Sequence, residues 1–152
     1  LIKARTVHKI TGLPSLADDT GLEEDALDGA PGVYSARFAG ENLTFEDNVN
    51  KMLTALGGIP DDNRTARFRT ALAFVDSNSE LCEEGVIEGK ITEKPRGEDG
   101  FGYDPIFEPA NKTKTFAEMA NEEKNRISHR ARALEKMQKT LKHYFEKGVS
   151  ID

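Results

Sequence analysis

The sequence predicts an α/β fold built around one sheet. Three observations carry that prediction. Residues 67–75 (RFRTALAFV) and 81–92 (LCEEGVIEGKIT) are two strand-like runs joined by Asp76-Ser77-Asn78-Ser79, a turn composition. Thr44 opens a helix with one apolar stripe, formed by Phe45, Val49, Met52, Leu53 and Leu56. Residues 121–147 make the longest helical pattern, with Ile127, Ala131, Leu134, Leu141 and Phe145 at helical spacing. Helices and strands alternate without internal repeats, and 152 residues suit a single domain, 1–152.

The other elements follow in order. Residues 1–11 read as the end of a helix, stopped by Gly12 and Pro14. Residues 15–19 are expected to be a short buried strand, and 22–27 a second one after a turn at Thr20-Gly21. Residues 29–40 hold three glycines and a proline, so they read as a loop. Glu46 and Asp47 suit the positive end of the helix that Thr44 caps, and Gly57, Gly58 and Pro60 end it. A glycine-rich loop at 97–103 precedes a short strand at 105–107. The tail, 148–152, is expected to fray.

The formal net charge of −6 argues against non-specific binding to nucleic acid or to an anionic membrane. The single cysteine, Cys82, excludes an internal disulfide and points to a reducing, cytoplasmic setting. It reads as a small apolar filler. No apolar run reaches membrane-spanning length.

Three constellations could carry chemistry. The first is Asp18-Asp19-Thr20-Gly21. Hard cations such as magnesium take carboxylate oxygens, usually one or two beside phosphate oxygens, and a carboxylate near such an ion can activate a water. Alone, the run fits an Asx turn at least as well. The second is GEDGFGYDP, 97–105. Its glycines let a backbone approach a flat ligand, Phe101 or Tyr103 could stack on a base, and Asp104 could accept its hydrogen bonds. A tight turn with buried aromatics explains it equally well. The third is EKNRISHRARAL, 123–134, where Lys124 and Ser128 lie one turn apart and His129 and Arg130 follow. Such a basic cluster can bind a phosphate or a base carbonyl, or be a solvated helix face.

Taken together, LPSLADDTGLEEDALDGAPGVYSARFAG, GEDGFGYDPIFEP and TFAEMANEEKNRISHRARAL resemble the Ham1-like, or inosine triphosphate pyrophosphatase, family. The likeness runs from Lys3 to about Leu134. It implies two α/β lobes around a long, bent mixed sheet with flanking helices, and an active site in the cleft between the lobes. It implies hydrolysis of inosine, deoxyinosine and xanthosine triphosphates to the monophosphate and pyrophosphate, with Mg2+ as cofactor and a homodimer as the assembly.

The resemblance assigns roles residue by residue. Asp19 matches the general base at the metal, and Asp18 beside it the water shell of the ion. Lys3 matches a lysine near the phosphates, and Thr20 a substrate contact. Phe101, Gly102, Tyr103 and Asp104 match the loop that holds the base. Lys124, His129 and Arg130 match further nucleotide contacts, with Ser128 on the same helical segment. A 6-keto purine offers a carbonyl and a ring N–H, so donors such as Arg130 or His129 with an acceptor such as Asp104 would select it. Adenine would leave buried polar groups unpaired, a discrimination of about 10⁴-fold.

Family members begin with a strand, a Thr/Ser-x-Asn-x-x-Lys phosphate loop, a helix and a metal-binding glutamate, and none of these is in the chain. The expectation is therefore an N-terminally truncated domain. The alternative to an enzyme is a non-catalytic, nucleotide-binding remnant.

Overall fold

The longest pairing in the molecule joins β3 (Thr65–Val75) to β4 (Glu80–Ile91), in register from Thr65 opposite Lys90 to Val75 opposite Glu80. The computed structural model describes residues 1–148. At the expected 76–79 turn, the Asp76 carboxylate accepts the backbone N–H groups of Asn78 and Ser79. On the other side of β3 runs β1 (Ser15–Glu24), and the short β2 (Pro31–Gly32) and β5 (Phe107–Pro109) complete the order β2-β1-β3-β4-β5.

The α/β class is as expected. The pairings among the described residues are antiparallel throughout, where the resemblance implied a mixed sheet. β1 meets β2 only at Leu22 and Glu23, so its stretch from Ser15 to Gly21 has no neighbour on that side among the described residues.

Alternation along β3 decides which face is the core. Ala66, Phe68, Thr70 and Leu72 are buried on one face, while Arg67, Arg69 and Ala71 stay half-exposed on the other. The buried face carries Leu22, Phe68, Ile87 and Ile91, packed with Val49, Met52 and Leu56 from α2 (Phe45–Ala55) and with Ile106, Phe107, Phe116 and Met119. Thr44 caps α2 in a full capping box with Asp47, as its sequence predicts. Phe45, assigned to the apolar stripe, is 58% exposed and lines the cleft described below.

Among the described residues the opposite face is covered at one end, where Ala4 of α1 (Ile2–Thr11) packs on Ala73 and Val75. Gly12 ends α1 in the left-handed region, φ 69°. Elsewhere this face is a ladder of ion pairs: Arg67 reaches Glu23, Asp25 and Glu88, and Arg69 reaches Glu23 and Glu84. Cys82 lies on it too and is exposed, not the buried filler the sequence implied, because its strand partner Ala73 faces away from the core.

The structure departs from the local signals in three places. Residues 15–19 and 22–27 do not form two strands. β1 runs unbroken through Thr20-Gly21 because β3 pairs with it over all ten residues, and 25–27 close into a 3-10 turn. A side chain at Gly21 would meet the Gly32 carbonyl at 2.5 Å, so the glycine serves strand packing rather than a turn. Nor are residues 15–19 buried throughout: Ser15 is buried, but Leu16, Asp18 and Asp19 are exposed.

Residues 104–106 form a 3-10 turn, with the strand displaced to Phe107–Pro109. The long helix divides at Ser128 into α3 (Asn121–Ile127) and α4 (His129–Gly148). Ser128 is extended (φ −64°, ψ 153°), and its hydroxyl accepts the Ala131 N–H, capping the second helix. The division resets the helical phase. Ala133 and Met137 face Leu72 and Phe74, while the expected core positions Leu134 and Phe145 are 47% and 53% exposed. The expected frayed tail falls outside the described residues except for Gly148.

Candidate active site

The N-terminus of α4 can touch the sheet because of Gly85. A Cβ there would lie 2.0 Å from the His129 carbonyl oxygen and 2.4 Å from the Ala133 nitrogen. The close approach sets His129 over Phe68, with ring centroids 4.7 Å apart and planes 18° from parallel. Beside this stack opens a cleft of about 460 Å³. Thr20, Phe101, Gly102, Tyr103, Asp104, Lys124, Ser128, His129 and Arg130 all line it. Three segments far apart in sequence thus meet at one place.

The walls are held by hydrogen bonds inside the protein. Lys124 Nζ donates to Asp104 Oδ2 at 2.5 Å, and the Phe101 N–H donates to the same oxygen at 2.9 Å. The pair is desolvated, with side chains 13% and 4% exposed. Asp104 therefore holds the loop and the lysine with one oxygen, and its Oδ1 makes no hydrogen bond among the described residues. Phe101 is 55% exposed, with Lys124 Nζ 4.8 Å from its ring centroid and the Arg130 guanidinium carbon 5.9 Å away.

Tyr103 differs from the stacking role considered for it. It is buried in the core, its hydroxyl donates to the Ser35 carbonyl at 2.7 Å, and burial pushes its phenol above the ordinary range. Ser128 spends its hydroxyl oxygen on the helix cap.

His129 is buried, and its Nδ1 has no partner among the described residues. Burial, then the charges of Arg130 and Lys124, push its pKa down to about 4. At neutral pH it is an uncharged imidazole, offering one donor and one acceptor.

The carboxylates divide between the two faces of β1, as neighbours on a strand must. On the cleft face, Asp18 Oδ2 accepts a hydrogen bond from Arg130 Nε at 3.1 Å and pairs with its Nη2 at 3.0 Å. Arg130 also lines a second hollow, of about 210 Å³, with Asp18, Leu16 and Leu134. It thus bridges the two hollows. On the other face, Lys3 Nζ donates to Asp19 Oδ1 at 2.8 Å and to the Asp18 carbonyl at 3.2 Å. Asp19 and Lys3 are exposed and lie outside the cleft lining.

The donor set bears on a metal. No group of three or more His, Cys, Asp or Glu side chains among the described residues is arranged to hold an ion. Asp19 fits a hard cation as a single carboxylate ligand, in the way such ions bind when phosphate oxygens and water fill the other positions. Asp18, on the opposite face and paired to Arg130, would reach the same ion only through water.

Sequence reasoning missed Phe68, Asn48, Ser35 and Thr70. Asn48 is buried and ties α2 to the 36–39 segment, accepting the Ala39 N–H at 2.7 Å and donating to the Ala36 carbonyl at 3.2 Å. Ser35 accepts the Leu22 N–H at 2.8 Å and donates to the Gly32 carbonyl at 2.6 Å. The one signal for Phe68 and Thr70 was their phase on β3, shared with Leu72.

Comparison with known proteins identifies the family. The Ham1 family model matches residues 1–140. A dITP/XTP pyrophosphatase of Thermoanaerobacter pseudethanolicus is 52% identical over 150 residues, covering 98% of this chain and 73% of that protein. The Bacillus subtilis dITP/XTP pyrophosphatase is 51% identical over 142 residues, covering 93% and 72%. A HAM1 protein from Coxiella burnetii superposes with a TM-score of 0.88 at 46% identity, covering 93% of this chain and 74% of that one. The three sequence segments that converge on the cleft, the matching architecture and the half-identical relatives place this chain in the Ham1 family.

Proposed function

We propose that the chain hydrolyses non-canonical purine nucleoside triphosphates, dITP, XTP and ITP, to the monophosphate and pyrophosphate. The similarity to the two dITP/XTP pyrophosphatases supports the reaction. One structural observation carries the site. The exposed Phe101 ring, flanked by Lys124 and Arg130, lines the same cleft as the neutral His129 stacked on Phe68.

In this reading Phe101 stacks on the base. Arg130 or His129 donates to the 6-keto oxygen, and Asp104 Oδ1 accepts the ring N–H. An amino group in place of that oxygen leaves the buried donors unpaired. Thr20 binds the nucleotide within the cleft, with Gly102, Tyr103 and Ser128 forming its walls. Lys3 meets the phosphates, and Asp19 takes the proton of the attacking water. A divalent cation, Mg2+ in this proposal, would neutralise phosphate charge and acidify water, with Asp19 as its protein ligand and Asp18 in its outer sphere. The working assembly is a homodimer in the cytoplasm.

The test is pyrophosphate release from dITP and XTP against dATP and dGTP, with and without Mg2+. Selective, Mg2+-dependent release is expected. Asp19→Asn should lower kcat by about 10²-fold or more while deoxyinosine monophosphate still binds. Undiminished turnover in that variant would exclude Asp19 as the base.

A further inference from the structure

Thr20 and Thr70 sit opposite each other on β1 and β3, and their hydroxyl oxygens are 2.7 Å apart. Thr70 is fully buried, whereas Thr20 is half-buried and lines the cleft. The two hydroxyls share one hydrogen bond, so one donates and the other accepts. Their surroundings decide which.

Thr70 has no other side-chain hydrogen bond among the described residues. Its neighbour on β4 is Gly85, which offers no side chain and is roofed by the His129 backbone. If Thr20 were the donor, the Thr70 proton would be buried without an acceptor, a state proteins avoid. With Thr70 as donor, both of its obligations are met, and the Thr20 proton is left to point into the cleft.

We infer that Thr70 is a positioning residue that commits the Thr20 hydroxyl to donate a hydrogen bond to an acceptor oxygen of the bound nucleotide. This inference rests on the cleft being the nucleotide site.

Steady-state kinetics with dITP test it on the wild-type chain, Thr70→Val, Thr70→Ser, Thr20→Val and the double variant, with the Tm of each measured separately. Thr70→Val keeps the shape of the side chain and deletes the proton. KM should rise about five- to tenfold in Thr70→Val, with kcat changed by less than about twofold. Thr70→Ser should restore KM, and the double variant should be no worse than Thr20→Val alone. Unchanged KM in Thr70→Val, no rescue by serine, or additive losses in the double variant would each overturn the assignment.

Should Thr70→Val not fold, Thr70→Ala carries the same comparison. Calorimetric binding of deoxyinosine monophosphate separates the two levels. A wild-type chain that binds or turns over, with Thr70→Val unaffected, removes only the role of Thr70. A wild-type chain that does neither removes the cleft assignment and this inference together.

Discussion

Glu24 is a carboxylate in the wrong place, and replacing it with glutamine should stabilise the protein in a pH-dependent way. It is fully buried at the end of β1. Its Oε1 accepts the Ala26 N–H at 3.2 Å, while Oε2 has no partner among the described residues. Burial pushes its pKa up to about 7. The Ala26 hydrogen bond and the charges of Arg64 and Arg67 oppose the rise, and Asp25 adds to it.

The sign follows from proton counts. Above pH 4.5 the unfolded chain releases this proton, while the folded chain keeps it until about pH 7. Stability is therefore fully present below about pH 4.5 and is lost as pH rises through 7. Applying about 1.4 kcal/mol per pH unit to that interval, the loss between pH 5 and pH 8 is about 2.5 kcal/mol. That corresponds to roughly 5–10 °C in Tm for a chain of this size.

Glutamine keeps the acceptor for Ala26 and cannot ionise. Its own unpaired amide adds only a constant offset. The assay is urea unfolding of wild type and Glu24→Gln at pH 5, 6, 7 and 8. The difference in favour of glutamine should grow by about 2.5 kcal/mol across the series. Other titrating groups, His129 included, are common to both proteins and cancel. A difference that stays flat with pH would refute the reasoning and show that Glu24 is hydrated in the folded state.

Two further outcomes are expected. Gly85→Ala should displace α4 from the sheet, since its Cβ would meet backbone at 2.0 and 2.4 Å. It should cost about 1–3 kcal/mol and weaken deoxyinosine monophosphate binding, read by calorimetry. Binding and stability equal to wild type would mean that the helix contact does not position His129. Asp104→Asn should remove the charge opposite the desolvated Lys124 while its amide oxygen still accepts the Phe101 N–H, at a cost of about 3 kcal/mol measured by denaturation. A cost below about 1 kcal/mol is what an exposed pair would give, and would place Asp104 outside the scaffold.

Several features were legible in the residues alone because they depend on neighbours in sequence. The α2 cap needs only Thr44 and Asp47, three apart. The 76–79 turn needs only Asp76 and the two N–H groups that follow it. Three motifs that line the cleft were legible, and the structure brings them together with Phe68, Asn48 and Ser35, which were not.

What the sequence could not give is anything set by pairing across the sheet or by contact between distant segments. Thr20-Gly21 looks like a turn until β3 pairs with all of β1. The 121–147 pattern looks like one helix, and there the local Ser128 cap on the Ala131 N–H was masked by the continuing helical period. Asp18 and Asp19 look like one ligand pair. On a strand they separate to opposite faces, and Arg130 and Lys3, both remote or nearly so in sequence, each take one. By itself the sequence determined the α/β class, the Thr44 cap, the 76–79 turn and the three motifs that meet at the cleft. The tertiary structure alone decided their phase, their partners and which face each carboxylate serves. Burial and strand register are properties of the packed sheet, and a local stretch of chain does not contain them.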